Sequence, residues 1–447
     1  MIREFLGDSE FEIIPADLSP SIAEYLGDRS FLLNADGEGD RDSIKREIYQ
    51  LLSTKTGRKP GWGTLTGVRP LKPAKKLAEE SGSAASAVQT MKEKYLLSEE
   101  KAKLLREVLD YQEQYVEAPN PHLQALYIGI PFCPSKCSYC AFGSSVFTEQ
   151  GMNEYLPCLH REIEALGKLY REHVRGRDLS LESIYFGGGT PTTLTGEQLR
   201  ELFRKIEDAF GYKLSSIETT VEAGRPDTIT KDRLEAMADA GIRRISINPQ
   251  SMHQVTLEAI GRSHTPEEIR EAFRLASKYS FKVVNSDLIA GLPGENTAMF
   301  LDSLEQMIAL GANNITIHTL SVKRGSRLKE EDPEYYRRGE EEVIRMLDAA
   351  GKRLRAEGFR PYYLYRQKHQ MGSLENVGWC LPGTHSLYNI RIMEEKQTIY
   401  GLGAGAIGKR YDDEREALLR VPNVSNYTIY CERIDEMLER KKQYFGG

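Results

Sequence analysis

Residues Ala125–Ser145 read ALYIGIPFCPSKCSYCAFGSS, and the rest of the chain is interpreted outward from them. Ala125–Phe132 is a short, mostly apolar run, which predicts a buried strand. The loop after it carries Cys133, Cys137 and Cys140 in a CxxxCxxC spacing. Thiolates are soft ligands that suit zinc or an iron–sulfur cluster. A structural zinc site takes four ligands, usually as paired short spacings. No second pair is present, since Cys158, Cys380 and Cys431 are scattered. Three thiolates from one loop suit three irons of a [4Fe–4S] cluster, with the fourth iron open to a small chelating ligand. A zinc knuckle completed by a distant His, or fortuitous surface thiols, are the plainer alternatives.

The same strand-then-loop unit recurs downstream. Further strands are expected at Ser183–Phe186, Ile217–Glu222, Arg244–Asn248, Lys282–Ile289 and Asn314–Leu320. Between them lie helix-period runs near Asn153–Glu172, Gly196–Ala209, Lys231–Ala240, Pro266–Ser280 and Thr297–Leu310, with another near Glu334–Glu357. Strict alternation implies a parallel sheet covered by helices. Six units are too few for a closed barrel of eight, so the expectation is an α/β fold, an open, partial (β/α)6 TIM-like barrel. Active groups then belong on the loops after the strands. Residues 1–120 form an α/β N-terminal accessory region, with helices near Asp42–Ser53 and Ser98–Tyr115. Residues 121–330 form the barrel. Residues 331–447 form a smaller α+β domain with short strands at Pro361–Arg366 and Thr398–Leu402 and a charged helix from about Val424.

Several loop residues have chemical potential. YFGGGTP places Gly188, Gly189 and Thr190 after the second barrel strand, where glycines permit a tight turn or a close ligand approach. Glu222 ends the third strand. Gln250 ends the fourth in ISINPQS, and Arg262 follows in IGRSH. Asp287 stands inside an otherwise apolar strand, which is costly unless partnered. Taken singly, each also reads as a turn glycine, a solvated strand-end charge or a helix-surface charge. Gly403–Gly408 satisfies G-x-G-x-x-G, but KRYDDEREALLR follows it, with neither the helix start nor the second strand of a dinucleotide site.

Together these motifs resemble the radical S-adenosylmethionine superfamily, and within it the oxygen-independent coproporphyrinogen III dehydrogenase branch. The resemblance covers about Leu123–Lys409, through CxxxCxYC, GGGTP, IGRSH, DLIAGLPGE and GLGAGA in order. TGVRPLK and LENVGWCLPG add likeness to the coproporphyrinogen dehydrogenase-like subgroup called HemZ. The resemblance implies a [4Fe–4S] cluster on Cys133, Cys137 and Cys140, and S-adenosylmethionine held by Tyr127, Gly188, Gly189, Thr190, Glu222, Gln250, Arg262 and Asp287. In this family an electron from the cluster cleaves the cofactor to a 5′-deoxyadenosyl radical. The implied reaction is decarboxylation of coproporphyrinogen III propionates to vinyl groups, giving protoporphyrinogen IX. Arg324, Arg327, Arg366 and Arg391 are candidate partners for the propionates. Two positions depart from the branch. Phe142 replaces a further cysteine found in authentic dehydrogenases, and Ile407 replaces a histidine of the glycine-rich turn. The first favours the rival reading, a haem-binding or haem-delivery protein.

Composition sets the remaining bounds. The 447 residues carry 60 basic and 66 acidic side chains, a net charge of −6, which argues against a general nucleic-acid surface. No apolar run approaches a membrane span, and the N-terminus lacks a signal-peptide pattern, so a cytoplasmic location is expected. Lys55–Lys76 holds seven basic residues and no acid. It reads as a solvated face, or as a dock for an acidic electron donor such as flavodoxin or ferredoxin.

Overall fold

The structure is a computed structural model that describes Ile2, Phe5 and residues 41–140, 143–323, 325–332, 335, 339–368 and 370–446. Strand β1 (Leu123–Ile130) leads into the cysteine loop, which is pinned at its two ends by the short parallel pair β2 (Phe132–Cys133) and β3 (Ser145–Val146). Strands β4 (Ser180–Gly188), β5 (Glu218–Glu222), β6 (Arg244–Ser246), β7 (Val283–Ala290) and β8 (Asn314–Thr319) follow. With β1 they form six parallel strands paired in chain order. That is the expected alternation, with ends shifted by a few residues.

The helices between the strands are Glu149–Val174, Gly196–Phe210, Lys231–Asp239, Pro266–Ala276 and Thr297–Ala309. Each shows its sequence logic. Gly196–Phe210 buries Leu199, Leu202, Phe203, Ile206 and Phe210, the stripe of a 3.6-residue period. Thr195 with Gln198, and Thr265 with Glu268, close capping boxes at two helix starts. A short helix, Gln254–Ala259, was not anticipated. No described helix is long and apolar enough to cross a membrane.

Strands from later in the chain extend the barrel sheet on both sides. Strands β9 (Arg360–Arg366) and β10 (Glu375–Cys380) add antiparallel to β8. On the other side β11 (Ile399–Leu402) pairs parallel to β1, followed by the hairpin β12 (Ile407–Asp412) and β13 (Ala417–Pro422). The resulting eleven-stranded sheet begins at β13 and ends at β9, so it stays open. The hairpin corrects the expectation that KRYDDEREALLR lacks a second strand. It is antiparallel, and the glycine turn runs straight into β12 with no helix starting there, so the dinucleotide reading fails all the same.

Before Leu123 the described residues contain helices only: Arg41–Thr56, Leu71–Ser81, Ala84–Tyr95 and Glu99–Tyr115. They pack on the β9–β10 edge. Gln112 donates to the Tyr362 carbonyl at 2.6 Å, and Trp62 Nε1 and Lys101 Nζ reach Glu375 at 2.8 and 2.6 Å. A sheet edge that would otherwise be bare is thereby covered.

The basic run Lys55–Lys76 is drawn into this docking. Arg69 and Lys72 pair with Glu395 at 2.8 and 3.3 Å, Lys75 pairs with Glu394, and Arg58 with Glu340. Four of the seven cations therefore clamp the N-terminal helices to later parts of the chain. This corrects the picture of an open donor-docking face, because the acids that neutralise the run are distant in sequence.

Candidate functional site

The C-terminal ends of the barrel strands surround one cavity of about 490 Å³. Tyr127, Cys133, Cys137, Cys140, Gly188, Gly189, Thr190, Glu222, Gln250, Arg262 and Asp287 all line it. The residues expected from sequence to hold the cluster and S-adenosylmethionine are thus brought together.

The cysteine loop is held from several directions. Ser138 N donates to the Ile260 carbonyl, and its own carbonyl accepts from Leu328 N, both at 2.9 Å. Thr190 Oγ1 donates to Cys133 Sγ at 3.6 Å. Arg225, buried in the loop after β5, donates to Ser135 Oγ at 3.0 Å and Ser263 Oγ at 2.8 Å, pairs with Asp227 at 3.1 Å and lies 3.9 Å from Cys137 Sγ.

The glycines serve the loop as well as the cavity. A Cβ on Gly189 would lie 2.4 Å from the Phe132 carbonyl oxygen, so GGGTP is small because the backbone entering the cysteine loop crosses it. Gly188 has φ 108°, a left-handed value that favours glycine. The second glycine-rich segment has a similar task. At Gly403, with φ 88°, a Cβ would meet the Gly129 carbonyl oxygen and the Tyr155 hydroxyl at 2.3 Å. That turn braces the end of β1, while Ile407 beside it is exposed.

Aromatic rings form one wall. Tyr127 and Tyr185 are cross-strand partners on β1 and β4, and their rings stack at 6.2 Å. Tyr388, from the helix Leu387–Glu394, stacks on Tyr185 at 4.5 Å. Below them Tyr185 donates to Glu222 Oε1 at 2.5 Å. Burial is the main influence on Glu222. Tyr185 opposes it and the Asp287 charge reinforces it, and the carboxyl is pushed up to about 7.

Asp287 behaves oppositely. Burial acts to raise its carboxyl, but His318 at 3.6 Å, Asn285 at 2.9 Å and Thr316 outweigh it and hold the group below its ordinary value. Two acids in one cavity therefore differ in charge near neutrality, as their different neighbours require. Gln250 adopts φ 69°, an uncommon left-handed conformation for a residue with a side chain, and its backbone bridges to β7. Its Oε1 is buried without a partner, as is Nε of Arg262. Arg262 otherwise donates to the Asn248 carbonyl at 3.3 Å and the Tyr139 hydroxyl at 3.1 Å.

The arginines suggested for propionates do not meet here. Arg391 is buried between Glu182 and Glu394 at 2.9 and 3.0 Å. Arg366 donates to the Ser373 carbonyl at 2.9 Å and to that of Leu65, outside this cavity. Arg327 is an exposed partner of Glu331 at 3.2 Å. Arg324 and Phe142 lie outside the described residues. Sequence reasoning missed Tyr185, Arg225, Asn248, His318, Lys323 and Tyr388, all of which line the cavity. Strand parity with Tyr127 could have found Tyr185. Nothing local marks Tyr388, which arrives from a distant helix.

The donor set fits a [4Fe–4S] cluster with S-adenosylmethionine. Among the described residues, no three His, Cys, Asp or Glu side chains converge as the ligands of one metal ion would. Three thiols spread around one cavity suit a cluster, in which each thiolate meets a different iron. The unpartnered Gln250 Oε1 and Arg262 Nε, with the Glu222 carboxyl, supply unused polar capacity for a ligand with hydroxyl, amino and carboxylate groups.

Comparison with known proteins agrees. The family model described as the radical SAM superfamily matches residues 127–307. An oxygen-independent coproporphyrinogen-III oxidase-like protein HemZ of Bacillus subtilis is 40% identical over 90% of this chain and 81% of its own length. A heme chaperone HemW of Bacillus subtilis is 28% identical over 64% of this chain and 71% of that one. The coproporphyrinogen III oxidase HemN from Escherichia coli has the same fold, with TM-score 0.56 at 20% identity over 74% of this chain and 73% of that one. The chain therefore belongs to the radical SAM superfamily, which works with a [4Fe–4S] cluster and S-adenosylmethionine, and within it to the HemZ family of oxygen-independent coproporphyrinogen-III oxidase-like proteins.

Proposed function

We propose that this protein decarboxylates propionate side chains of coproporphyrinogen III to vinyl groups without oxygen, giving protoporphyrinogen IX. The observation that carries the reading is the single cavity in which three loop thiols, a tyrosine stack and the polar strand ends face one another. When bound, the cofactors supply one-electron chemistry able to remove a hydrogen atom from an unactivated carbon. The chain's residues bind and orient. Cys133, Cys137 and Cys140 are the thiol ligands. Tyr127, Gly188, Gly189, Thr190, Glu222, Gln250, Arg262 and Asp287 hold S-adenosylmethionine. Tyr185 and Tyr388 exclude water from the wall next to Glu222, and Lys323 offers a cation to a carboxylate at the cavity margin. For each propionate converted, one hydrogen atom, carbon dioxide and one electron leave. An acidic flavodoxin- or ferredoxin-type protein supplies the reducing electron, and an external acceptor takes the one released.

The test is anaerobic incubation of the reconstituted protein with coproporphyrinogen III, dithionite and S-adenosylmethionine, followed by pigment analysis. Protoporphyrin should accumulate, with 5′-deoxyadenosine formed alongside. A second reading, haem binding or delivery, is favoured by Phe142, which stands where authentic dehydrogenases carry a further cysteine. Stoichiometric haem binding with no pigment conversion would decide for it.

A further inference from the structure

The cavity continues beyond the strand ends. Lys323, Tyr365, Gln367 and Met393 also line a second chamber of about 440 Å³, so the two spaces share a boundary. The rest of the chamber is Val68, Arg69, Arg366 and Lys368. Among the described residues, the eight that line it include four cations and no acid. Val68 and Arg69 belong to the TGVRP turn of the N-terminal region, whose described residues contribute nothing to the cofactor cavity.

That turn is firmly placed. Its Val68 carbonyl accepts from Arg366 N at 2.8 Å, and the Arg366 guanidinium lies over the Trp62 ring at 5.5 Å. Arg69 is paired with Glu395 at 2.8 Å, yet its Nε is buried without a partner. Ordered guanidinium groups lose little freedom when they bind a carboxylate, and they suit its planar shape. Tyr365 and Met393 add an apolar wall on the side that opens to the cofactor cavity.

We infer that this chamber is a carboxylate-recognition subsite, which holds propionate arms of the tetrapyrrole while the reacting arm lies in the cofactor cavity. This rests on the decarboxylase reading and assigns the N-terminal region a direct part in substrate binding. The macrocycle then bridges the two spaces across Lys323 and Tyr365, which line both. A flat apolar ring with several carboxylates matches a chamber that is cationic at one end and aromatic at its mouth.

The experiment is a fluorescence titration of the full chain with coproporphyrin III and, separately, with its uncharged tetramethyl ester. Two variants are compared with the parent. Lys368→Glu reverses a charge on an exposed side chain outside the cofactor cavity, and Val68→Trp fills the chamber from the N-terminal side. The parent should bind the tetra-acid at least about tenfold more tightly than the ester, the usual scale for a lost charged hydrogen bond. Both variants should lose about tenfold toward the tetra-acid and bind S-adenosylmethionine as the parent does, and Lys368→Glu should leave the ester unchanged while Val68→Trp weakens it too. Unchanged tetra-acid affinity in both variants would overturn the chamber assignment alone. A parent that binds neither pigment would overturn it together with the decarboxylase reading.

Discussion

The Tyr185 phenol donates to Glu222 Oε1 at 2.5 Å, beneath a tyrosine stack that shields the pair. Burial pushes the Glu222 carboxyl up to about 7, and the Tyr185 hydrogen bond only partly offsets it. A ligand hydroxyl that donates to this carboxylate favours its ionised form. Below pH 7 the free group is protonated, so binding must first remove a proton. Affinity for S-adenosylmethionine should therefore rise with pH to about 7 and then level off, falling by up to about tenfold per unit below that point. Glu222→Gln should flatten the profile. Calorimetry that finds no pH dependence in the parent would exclude Glu222 from the contact.

Cluster assembly should depend on three of the six cysteines. Cys133→Ala, Cys137→Ala and Cys140→Ala should each lose the reconstituted iron and sulfide, because a three-thiolate site has no spare ligand. Cys158→Ser, Cys380→Ser and Cys431→Ser should keep both. Full iron content in Cys137→Ala would refute the assignment.

Gly189→Ala should lose the cluster with every cysteine intact. Its new methyl would press on the backbone of Phe132, at 2.4 Å from the oxygen, and Cys133 is the next residue. Overpacking of this kind costs about 1–3 kcal/mol, so the variant should still fold. Iron analysis beside a denaturation curve separates the two effects; parental iron content would show that the loop tolerates the shift.

Arg225→Ala should be the more damaging change. Asp227 would lose its cationic partner, keeping only the Ser263 hydroxyl, while remaining largely buried, and Ser135 and Ser263 would lose their donor. Breaking a buried ion pair from one side costs about 3–5 kcal/mol. Arg225→Lys keeps the charge but not the fork, and should fall between. A melting temperature unchanged in the alanine variant would refute this.

Substitution of the basic run should act on stability, with no selective effect on electron delivery. Arg69, Lys72 and Lys75 reach Glu394 and Glu395, and partly exposed pairs contribute about 0–1 kcal/mol each. In Lys72→Ser/Lys75→Ser, turnover with a protein reductant and with dithionite should change alike. Selective slowing with the protein reductant would restore the docking interpretation.

Much of this molecule was determined by sequence alone, through local physics. The six barrel strands and their five helices were legible because apolar periodicity and end signals such as Thr195–Gln198 act within a few residues. The cysteine spacing and the glycines of GGGTP are equally local, and the resemblance they carry placed eleven residues in one cavity. Pairings between distant segments lay beyond that reach. Tyr388 stacks on Tyr185 from a helix far along the chain, Glu394 and Glu395 pair with Arg69, Lys72 and Lys75 of the basic run, and β9–β13 extend the sheet from the far end of the chain. Arg366 and Arg391 read as free cations in sequence, but burial gives them partners within the fold. Even Cys158 and Cys431, scattered in the chain, approach the same Glu154 carbonyl at 3.6 and 3.7 Å. A residue's charge and period are written in its neighbours in sequence, whereas its partner is chosen when helices and strands pack, and only the tertiary structure records that choice.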